Sequence, residues 1–154
     1  MRRAEQAHRD RGFTLVELAI VLAILGVLAA LTLTQYLAYI ERVRVARAVI
    51  EMKDISAQLD PIVFEGGALP ATLADIGLGG RVDPWGRPYE YLRVRGTPRF
   101  RIRKDQFLVP LNSDYDLYSK GKDGLSQPQI THPLSLDDVI RGNDGAFLGL
   151  AAKY

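Results

Sequence analysis

Six aspartates near the C-terminus have the residue type and the close spacing of a metal site. They lie within 31 residues of loop-like sequence that also contains several glycines: Asp114, Asp116, Asp123, Asp137, Asp138 and Asp144. Calcium takes about six to eight oxygen ligands from carboxylates and backbone carbonyls in a flexible geometry, which such a loop can supply. The spacing is not that of an EF-hand, and aspartates are also common in solvated turns, so both interpretations stay open here.

A second residue that could do chemistry is Glu17, a carboxylate at the start of a long apolar run. Residues 18–40 are 23 consecutive positions without a charge. A charged side chain near the middle of a bilayer costs about 2–3 kcal/mol on insertion scales, and less near the interface. Glu17 is therefore either an interfacial side chain that reaches back to water or a functional carboxylate that needs a partner.

Catalytic residues are scarce. His8 lies in the basic N-terminal stretch, His132 stands alone beside Pro133, and no serine has an evident base. The absence of cysteine excludes a disulfide framework, a thiolate metal site and a cysteine nucleophile. We predict that the protein is not an enzyme.

Basic side chains are concentrated in one short stretch, residues 93–104: Arg93, Arg95, Arg99, Arg101, Arg103 and Lys104. Such a stripe could bind the phosphates of DNA. It could also be a solvated strand face, or form salt bridges to acids on adjacent subunits. The net charge of +2 comes from four arginines among the first twelve residues, and the remaining chain is balanced. We favour the solvated face and expect no nucleic acid partner.

The apolar run predicts a membrane anchor. A bilayer-spanning helix needs about 20 apolar residues, and this run is too long for the hydrophobic region of a cleaved signal peptide. Basic residues precede it, so the positive-inside rule places the N-terminus in the cytoplasm and the residues after the run across the membrane. The predicted organisation is a basic N-terminal segment, a transmembrane helix that ends at residue 40 and an exported globular domain at residues 41–154.

The helix is predicted to continue beyond the membrane. Apolar residues recur every three or four positions after residue 40, which is typical of an amphipathic helix. We expect one helix from Thr14 to Leu59, with a kink or an end at Asp60-Pro61 and a C-terminal stop at Gly66-Gly67.

Period-two alternation predicts the sheet. Strands are expected at residues 89–95 and 99–103, joined as a hairpin by residues 96–98, with a third strand at residues 107–109. Asp83 and Pro84 should begin a tight turn before the sheet, with Trp85 covering the core. The predicted fold class is α+β: a long N-terminal helix, membrane-spanning in its first half, packed on a small antiparallel sheet, with a loop-rich C-terminus.

Residues 11–28, RGFTLVELAIVLAILGVL, resemble the N-terminus of type IV pilins and of type II secretion pseudopilins. The resemblance implies cleavage by a prepilin peptidase between Gly12 and Phe13, with N-methylation of Phe13. Residues 1–12 would then be a leader peptide, and residues 13–40 a transmembrane and assembly helix. It also implies that Glu17 pairs with the new N-terminal amine of a neighbouring subunit, because opposite charges neutralise each other in lipid. Thr34 stands where many relatives have a proline that loosens the helix, so the helix is expected either to stay continuous or to melt through Gly26 and the threonines.

Three motifs further along are similar to the major pseudopilin of type II secretion: residues 83–86 (DPWG), 114–119 (DYDLYS) and 121–124 (GKDG). The resemblance implies a structural subunit of a secretion pseudopilus, with a minor type IV pilin for adhesion, twitching or DNA uptake as the alternative. The implied partners are further copies of the chain, other pseudopilins, the prepilin peptidase and an inner-membrane assembly platform. The implied location is the bacterial inner membrane, with a single pass and a periplasmic globular domain.

The same resemblance implies one structural calcium ion in the aspartate loop. Asp123 is the best matched side-chain ligand, and Asp137 or Asp138 would close the cage. The remaining matched ligands are the backbone carbonyls near Leu117 and Ser119, with Asn143 and Asp144 as alternatives to the second carboxylate. Calcium would then tie down a loop with little apolar content of its own.

Overall fold

The computed structural model describes residues 12–154, so the predicted leader up to residue 11 lies outside the described residues. The chain divides into two units, Met1–Ile40 and Glu41–Tyr154. One long helix, α1, covers Leu15–Phe64 and contributes residues to both units.

The end of α1 lies one turn beyond the expected position. Pro61 lies inside the helix, where it removes only its own amide bond, and the next turn forms normally. Gly66 has φ +69°, and the amides of Gly66 and Gly67 donate to the carbonyls of Val63 and Ile62 at 3.0 and 2.8 Å. This pair of bonds is a Schellman ending, so the predicted glycine stop is confirmed, whereas α1 does not end at Asp60-Pro61.

Four antiparallel strands form one sheet in the order β1-β2-β3-β4. They are β1 (Glu90–Arg93), β2 (Tyr115–Ser119), β3 (Val139–Gly142) and β4 (Phe147–Leu150). Short 3-10 turns at Leu73–Ile76, Pro133–Ser135, Asn143–Gly145 and Ala151–Lys153 connect or follow the strands. The α+β prediction of a long helix with a small antiparallel sheet is confirmed.

The predicted strand layout is wrong except at β1. Residues 99–103 form a turn, and β1 pairs with β2 instead of with that segment. Residues 107–109 also form a turn, because Asp105 accepts the amides of Phe107 and Val109 at 2.8 and 2.9 Å and Leu108 has φ +62°. The C-terminal region expected to be loops supplies β2, β3 and β4.

The main core lies between the second part of α1 and one face of the sheet. Met52, Ile55 and Leu59 of α1 are fully buried in one cluster with Leu117 of β2 and Val139 of β3. Each such side chain contributes about 1.5–3 kcal/mol on burial. The helical spacing of the first three and the strand alternation of the others place them on facing surfaces.

A smaller cluster covers the opposite face of the sheet. Ile140 alternates with Val139 along β3 and therefore points away from α1, where it packs with Leu111, Ile130 and Ala151. The segments on both sides of β2 are thereby fixed against the sheet, and they carry the polar side chains described below.

Polar contacts also tie α1 to the segment before β1. Trp85 packs against the main core, as predicted, and its Nε1 donates to Glu41 at 3.0 Å. The Tyr89 hydroxyl donates to Glu51 at 2.7 Å. Asp83 begins the predicted tight turn, with the Gly86 amide donating to its carbonyl at 2.9 Å.

Candidate assembly helix and aspartate loop

The predicted cleavage position precedes the first turn of α1. Gly12 and Phe13 lie outside regular secondary structure and are exposed, Phe13 to 86%. An exposed, irregular segment is the kind of backbone that a peptidase can bind. The structure therefore leaves the predicted Gly12–Phe13 bond accessible, while cleavage and methylation remain predictions.

Glu17 is held at the start of α1 by Thr14. The backbone amide and the hydroxyl of Thr14 both donate to Oε2 of Glu17 at 2.8 Å, and the amide of Glu17 donates to the Thr14 hydroxyl at 3.2 Å. This arrangement is a capping box, in which a Thr and a Glu three residues apart satisfy free amides at a helix start. The T-x-x-E spacing of this cap is visible in the sequence, but the cap was not among the predicted features.

The residues of α1 up to Ile40 present an apolar surface. Among the described residues, one helix is long and apolar enough to cross a membrane, and its most apolar window is entirely exposed. Its two threonines bond to its own carbonyls, Thr32 to Leu28 at 2.7 Å and Thr34 to Leu31 at 3.0 Å. The helix is continuous through Thr34, with the hydroxyls satisfied internally as a lipid environment requires.

The six aspartates of the candidate metal region are dispersed over three structural settings. Asp114 forms a two-point ion pair with Arg141, with both N–O distances 2.8 Å, and Arg141 also contacts Asp60 at 3.3 Å. Asp144 accepts the amide and the hydroxyl of Ser113 at 2.6 and 2.8 Å. These contacts tie the start of β2 to the end of β3.

Asp116 and Asp138 are buried on the face of the sheet away from α1. Asp116 accepts the Arg103 amide at 2.7 Å and the Asn112 side-chain amide at 3.0 Å, and burial raises its pKa above the usual range. Asp138 is fully buried and accepts Nη2 of Arg103 and the Ser126 hydroxyl, both at 2.6 Å. Burial raises the pKa of Asp138 to about 6, against the attraction of Arg103.

Asp123 and Asp137 are the two predicted ligands that the structure brings together. Asp137 accepts the Asp123 amide at 3.0 Å, and Asp123 caps the Leu125 amide at 2.7 Å. Leu117 and Ser119 lie in β2 opposite Tyr91 and Val139. Within residues 12–154, no three acidic or histidine side chains are placed to hold a metal ion. Of the two carboxylates predicted to close the cage, Asp138 pairs with Arg103 instead, and calcium binding stays a prediction.

The N-terminal residues match a known motif. The model of the family described as "Prokaryotic N-terminal methylation motif" matches residues 7–33. The Type II secretion system core protein G of Pseudomonas aeruginosa is 32% identical, over 77% of this chain and 88% of the relative. That of Dickeya chrysanthemi is 32% identical, over 76% and 73%. A fimbrial protein of Neisseria meningitidis is 31% identical, over 94% and 86%.

These similarities extend well past the motif into the globular domain. The chain belongs to the type IV pilin-like family, which includes the type II secretion pseudopilins. No solved structure gives a significant match. Within residues 12–154, a single helix is apolar enough to span a membrane, and its place near the N-terminus fits a membrane-anchored subunit of this family.

Two further features of the sequence of this pilin-like chain, the basic stripe and His132, have structural explanations. The stripe of basic residues is interrupted, because Arg103 is buried while Arg95, Arg99 and Arg101 are exposed. The Nδ1 atom of His132 accepts the Leu134 amide at 3.2 Å and caps a short turn. His132 thus has a local structural role.

Proposed function

We propose that this protein is a structural subunit of a type II secretion pseudopilus. The observation that carries the proposal is the similarity to core protein G, which spans most of both chains and includes the globular domain. Its role is mechanical, without an enzymatic activity of its own: the subunit polymerises to drive proteins across the outer membrane.

Processing would create the assembly-competent subunit. The prepilin peptidase cuts between Gly12 and Phe13, and Phe13 becomes the methylated N-terminus. The exposed backbone at this position and the match of residues 7–33 to a methylation motif support this step.

The subunit is stored in the inner membrane before assembly. The residues of α1 up to Ile40 span the bilayer, with the leader in the cytoplasm and Glu41–Tyr154 in the periplasm. The length of the uncharged run and the arginines before it support this orientation. Extraction would exchange lipid contacts for contacts with the same apolar surface on neighbouring helices.

Assembly depends on the carboxylate of Glu17. In the subunit its charge is held near the N-terminus of α1 by Thr14 and by the helix dipole. In the filament it would neutralise the N-terminal amine of a neighbouring copy in a low-dielectric core. Other pseudopilins and the inner-membrane assembly platform are the remaining partners.

A type IV pilus is the alternative machine. The fimbrial protein of Neisseria meningitidis aligns with 94% of this chain at 31% identity, which supports a type IV pilin as the alternative. The chain would then act as a minor pilin for adhesion, twitching or DNA uptake. The long apolar helix and the Glu17 cap serve either filament equally well. The choice between the two filaments is thus a question of physiology.

Deleting the gene in its own bacterium tests the proposal. We expect secreted proteins to accumulate in the periplasm, with twitching and DNA uptake unchanged, and restoration by a plasmid copy of the gene. Loss of twitching or DNA uptake with normal secretion would contradict the pseudopilus proposal and support the pilus.

A further inference from the structure

Two arginines bind the loop that joins β2 to β3, residues 120–138. Arg103 reaches it from the segment between β1 and β2, where its side chain is 3% exposed. Its Nη2 atom lies 2.6 Å from Oδ2 of Asp138, and its Nη1 atom donates to the Ser126 hydroxyl. The guanidinium also stacks on the Tyr118 ring, 4.2 Å from the centroid. Arg103 therefore joins Ser126 and Asp138 of the loop to β2.

Arg87 holds the beginning of the same loop. Its Nη1 and Nη2 atoms donate to the carbonyls of Gly121 and Lys122 at 2.6 and 3.2 Å. Gly124 allows this approach, because a Cβ atom there would lie 2.5 Å from Cζ of Arg87. The oxygen atoms of these carbonyls, like those of the Asp138 carboxylate, are of the type that binds a cation.

Backbone hydrogen bonds fix the position of Arg103. The Arg103 amide donates to Asp116 at 2.7 Å, and its carbonyl accepts the Leu111 amide at 3.0 Å. The next residue, Lys104, accepts the Ile130 amide at 3.0 Å and donates to the Pro128 carbonyl at 2.8 Å. The segment that carries Arg103 is thus hydrogen-bonded directly to the loop, so the guanidinium loses little freedom on pairing.

We propose that the guanidinium groups of Arg87 and Arg103 take the place of a divalent cation in this loop, so that the domain folds and stays folded without calcium. Arg103 neutralises the buried carboxylate, and Arg87 occupies the turn carbonyls. The inference goes beyond the proposed function and holds for either filament.

The remaining oxygen atoms of the loop do not favour a cation beside these arginines. Oδ1 of Asp138 is buried and receives no hydrogen bond from the described residues. A calcium ion bound there would face Arg103 across a single carboxylate, and the two positive charges would repel each other at short range. With Asp138 paired to Arg103, only the carboxylates of Asp123 and Asp137 remain from the predicted set, and backbone carbonyls would have to supply most of the roughly six to eight ligands that calcium takes.

Thermal unfolding of the full chain in detergent micelles tests the proposal. The native chain is compared in excess calcium and in excess EGTA, and we expect the same unfolding midpoint in both. A ligand that binds only the folded state would raise the midpoint. A higher midpoint in calcium, or saturable calcium binding by titration calorimetry, would overturn the proposal.

Substitution of Arg103 tests the positive part of the inference. Arg103→Met leaves Asp138 buried without its partner, and we expect a midpoint lower by about 10 °C or more in both solutions. Arg101→Met is the matched control, because Arg101 is exposed in the same segment, and it should leave the midpoint unchanged. Equal midpoints for the two variants would refute the role of Arg103.

A conservative variant covers the case in which Arg103→Met does not fold. Arg103→Lys keeps one positive charge but cannot bind Asp138 and Ser126 through two separate nitrogen atoms. We expect a folded chain with a midpoint below that of the native chain and still independent of calcium. A midpoint equal to that of the native chain would contradict the proposal, because the two-nitrogen pairing of Arg103 would then be dispensable.

Discussion

The carboxylate of Glu17 accepts two hydrogen bonds from Thr14, one from the backbone amide and one from the hydroxyl, each at 2.8 Å. Thr14 directly follows Phe13, the residue predicted to become the N-terminus, and Glu17 lies in the first turn of α1. The bonds hold a negative charge close to where cleavage would create a positive one. This relationship gives the assembly hypothesis a concrete geometric basis.

Glu17→Val should separate membrane insertion from filament assembly. Removing a charge at the edge of the apolar run does not hinder insertion, because that charge costs free energy in lipid. Without the carboxylate, the N-terminal amine of a neighbouring subunit stays unpaired, so we expect incorporation to fall by about tenfold or more. Membrane fractionation measures insertion, and cysteine cross-linking between neighbouring subunits measures incorporation.

Two threonine variants control for the loss of a hydroxyl in α1. Thr14→Val removes one of the two bonds that orient Glu17, whereas Thr34→Val removes only a bond to the helix's own Leu31 carbonyl. We expect reduced assembly for the first variant and normal assembly for the second. Filaments that form normally with Val at position 17 would refute the role assigned to the carboxylate.

The helix was predictable from sequence and most of the sheet was not, for a physical reason. The spacing of apolar residues that predicts α1 lies within one continuous segment of the sequence, and its glycine ending depends only on neighbouring residues. β2 and β3 contain Asp116, Ser119 and Gly142, residues that favour loops, and they become strands because Tyr115, Leu117 and Val139 pack on a helix distant in the sequence. Residues 99–103 alternate like a strand, yet Arg103 is drawn into a buried ion pair.

Arg141→Met should destabilise the globular domain strongly. The Arg141 side chain is 1% exposed, pairs with Asp114 at 2.8 Å and stacks on the Tyr115 ring at 3.9 Å. Breaking a buried pair leaves Asp114 without its partner, which typically costs about 3–5 kcal/mol. Urea unfolding of the full chain in detergent gives the free energy of unfolding.

The double variant Arg141→Met with Asp114→Leu tests whether the loss comes from the unpaired charge. Replacing both partners by apolar residues removes the unpaired carboxylate, so we expect part of the stability to return. Arg81→Met is an exposed comparison, because the Arg81–Asp54 pair is 4.0 Å apart and solvated, and it should cost less than about 1 kcal/mol. A double variant no more stable than Arg141→Met would count against this explanation.

Alkaline pH should unfold the domain through its buried tyrosines. Burial raises the pKa of Tyr91 to about 12, and burial with an acidic hydrogen-bond partner raises the pKa of Tyr89 and of Tyr115. An unfolded tyrosine titrates near about pH 10, so the stability from these phenols is complete below that pH and is lost as the pH rises toward the folded values. Each phenol contributes a slope of about 1.4 kcal/mol per pH unit.

Tyrosinate absorbance and circular dichroism, followed together from neutral pH upward, check this expectation. Ionisation of the buried phenols should coincide with loss of structure. Tyr91→Phe removes one of the titrating groups, together with its bond to the Pro70 carbonyl, and should make the loss of stability less steep. Ionisation of all tyrosines near pH 10 in a folded domain would contradict the expectation.

The Glu17 cap and the aspartate loop could be predicted only where the interacting residues are close together in the sequence. The T-x-x-E cap of Glu17 needs four consecutive residues, and the aspartate loop is visible as composition. The partner of Asp138 is Arg103, 35 residues earlier in the chain, on a segment whose pattern indicated an exposed strand. An ion pair between distant segments leaves no local pattern in a single sequence.

Gly121→Ala should disrupt the loop between β2 and β3. Gly121 has φ +59°, and a Cβ atom there would lie 2.1 Å from the carbonyl oxygen of Asp137, a backbone atom that cannot rotate away. The strained conformation and the clash together should cost about 2–4 kcal/mol in the free energy of unfolding, measured by urea denaturation. Gly80→Ala is the matched control, because nothing lies within 4 Å of its Cβ position, and its effect should stay within about 0.5 kcal/mol. Equal stability of the two variants would mean that the contact between Gly121 and Asp137 does not hold the loop.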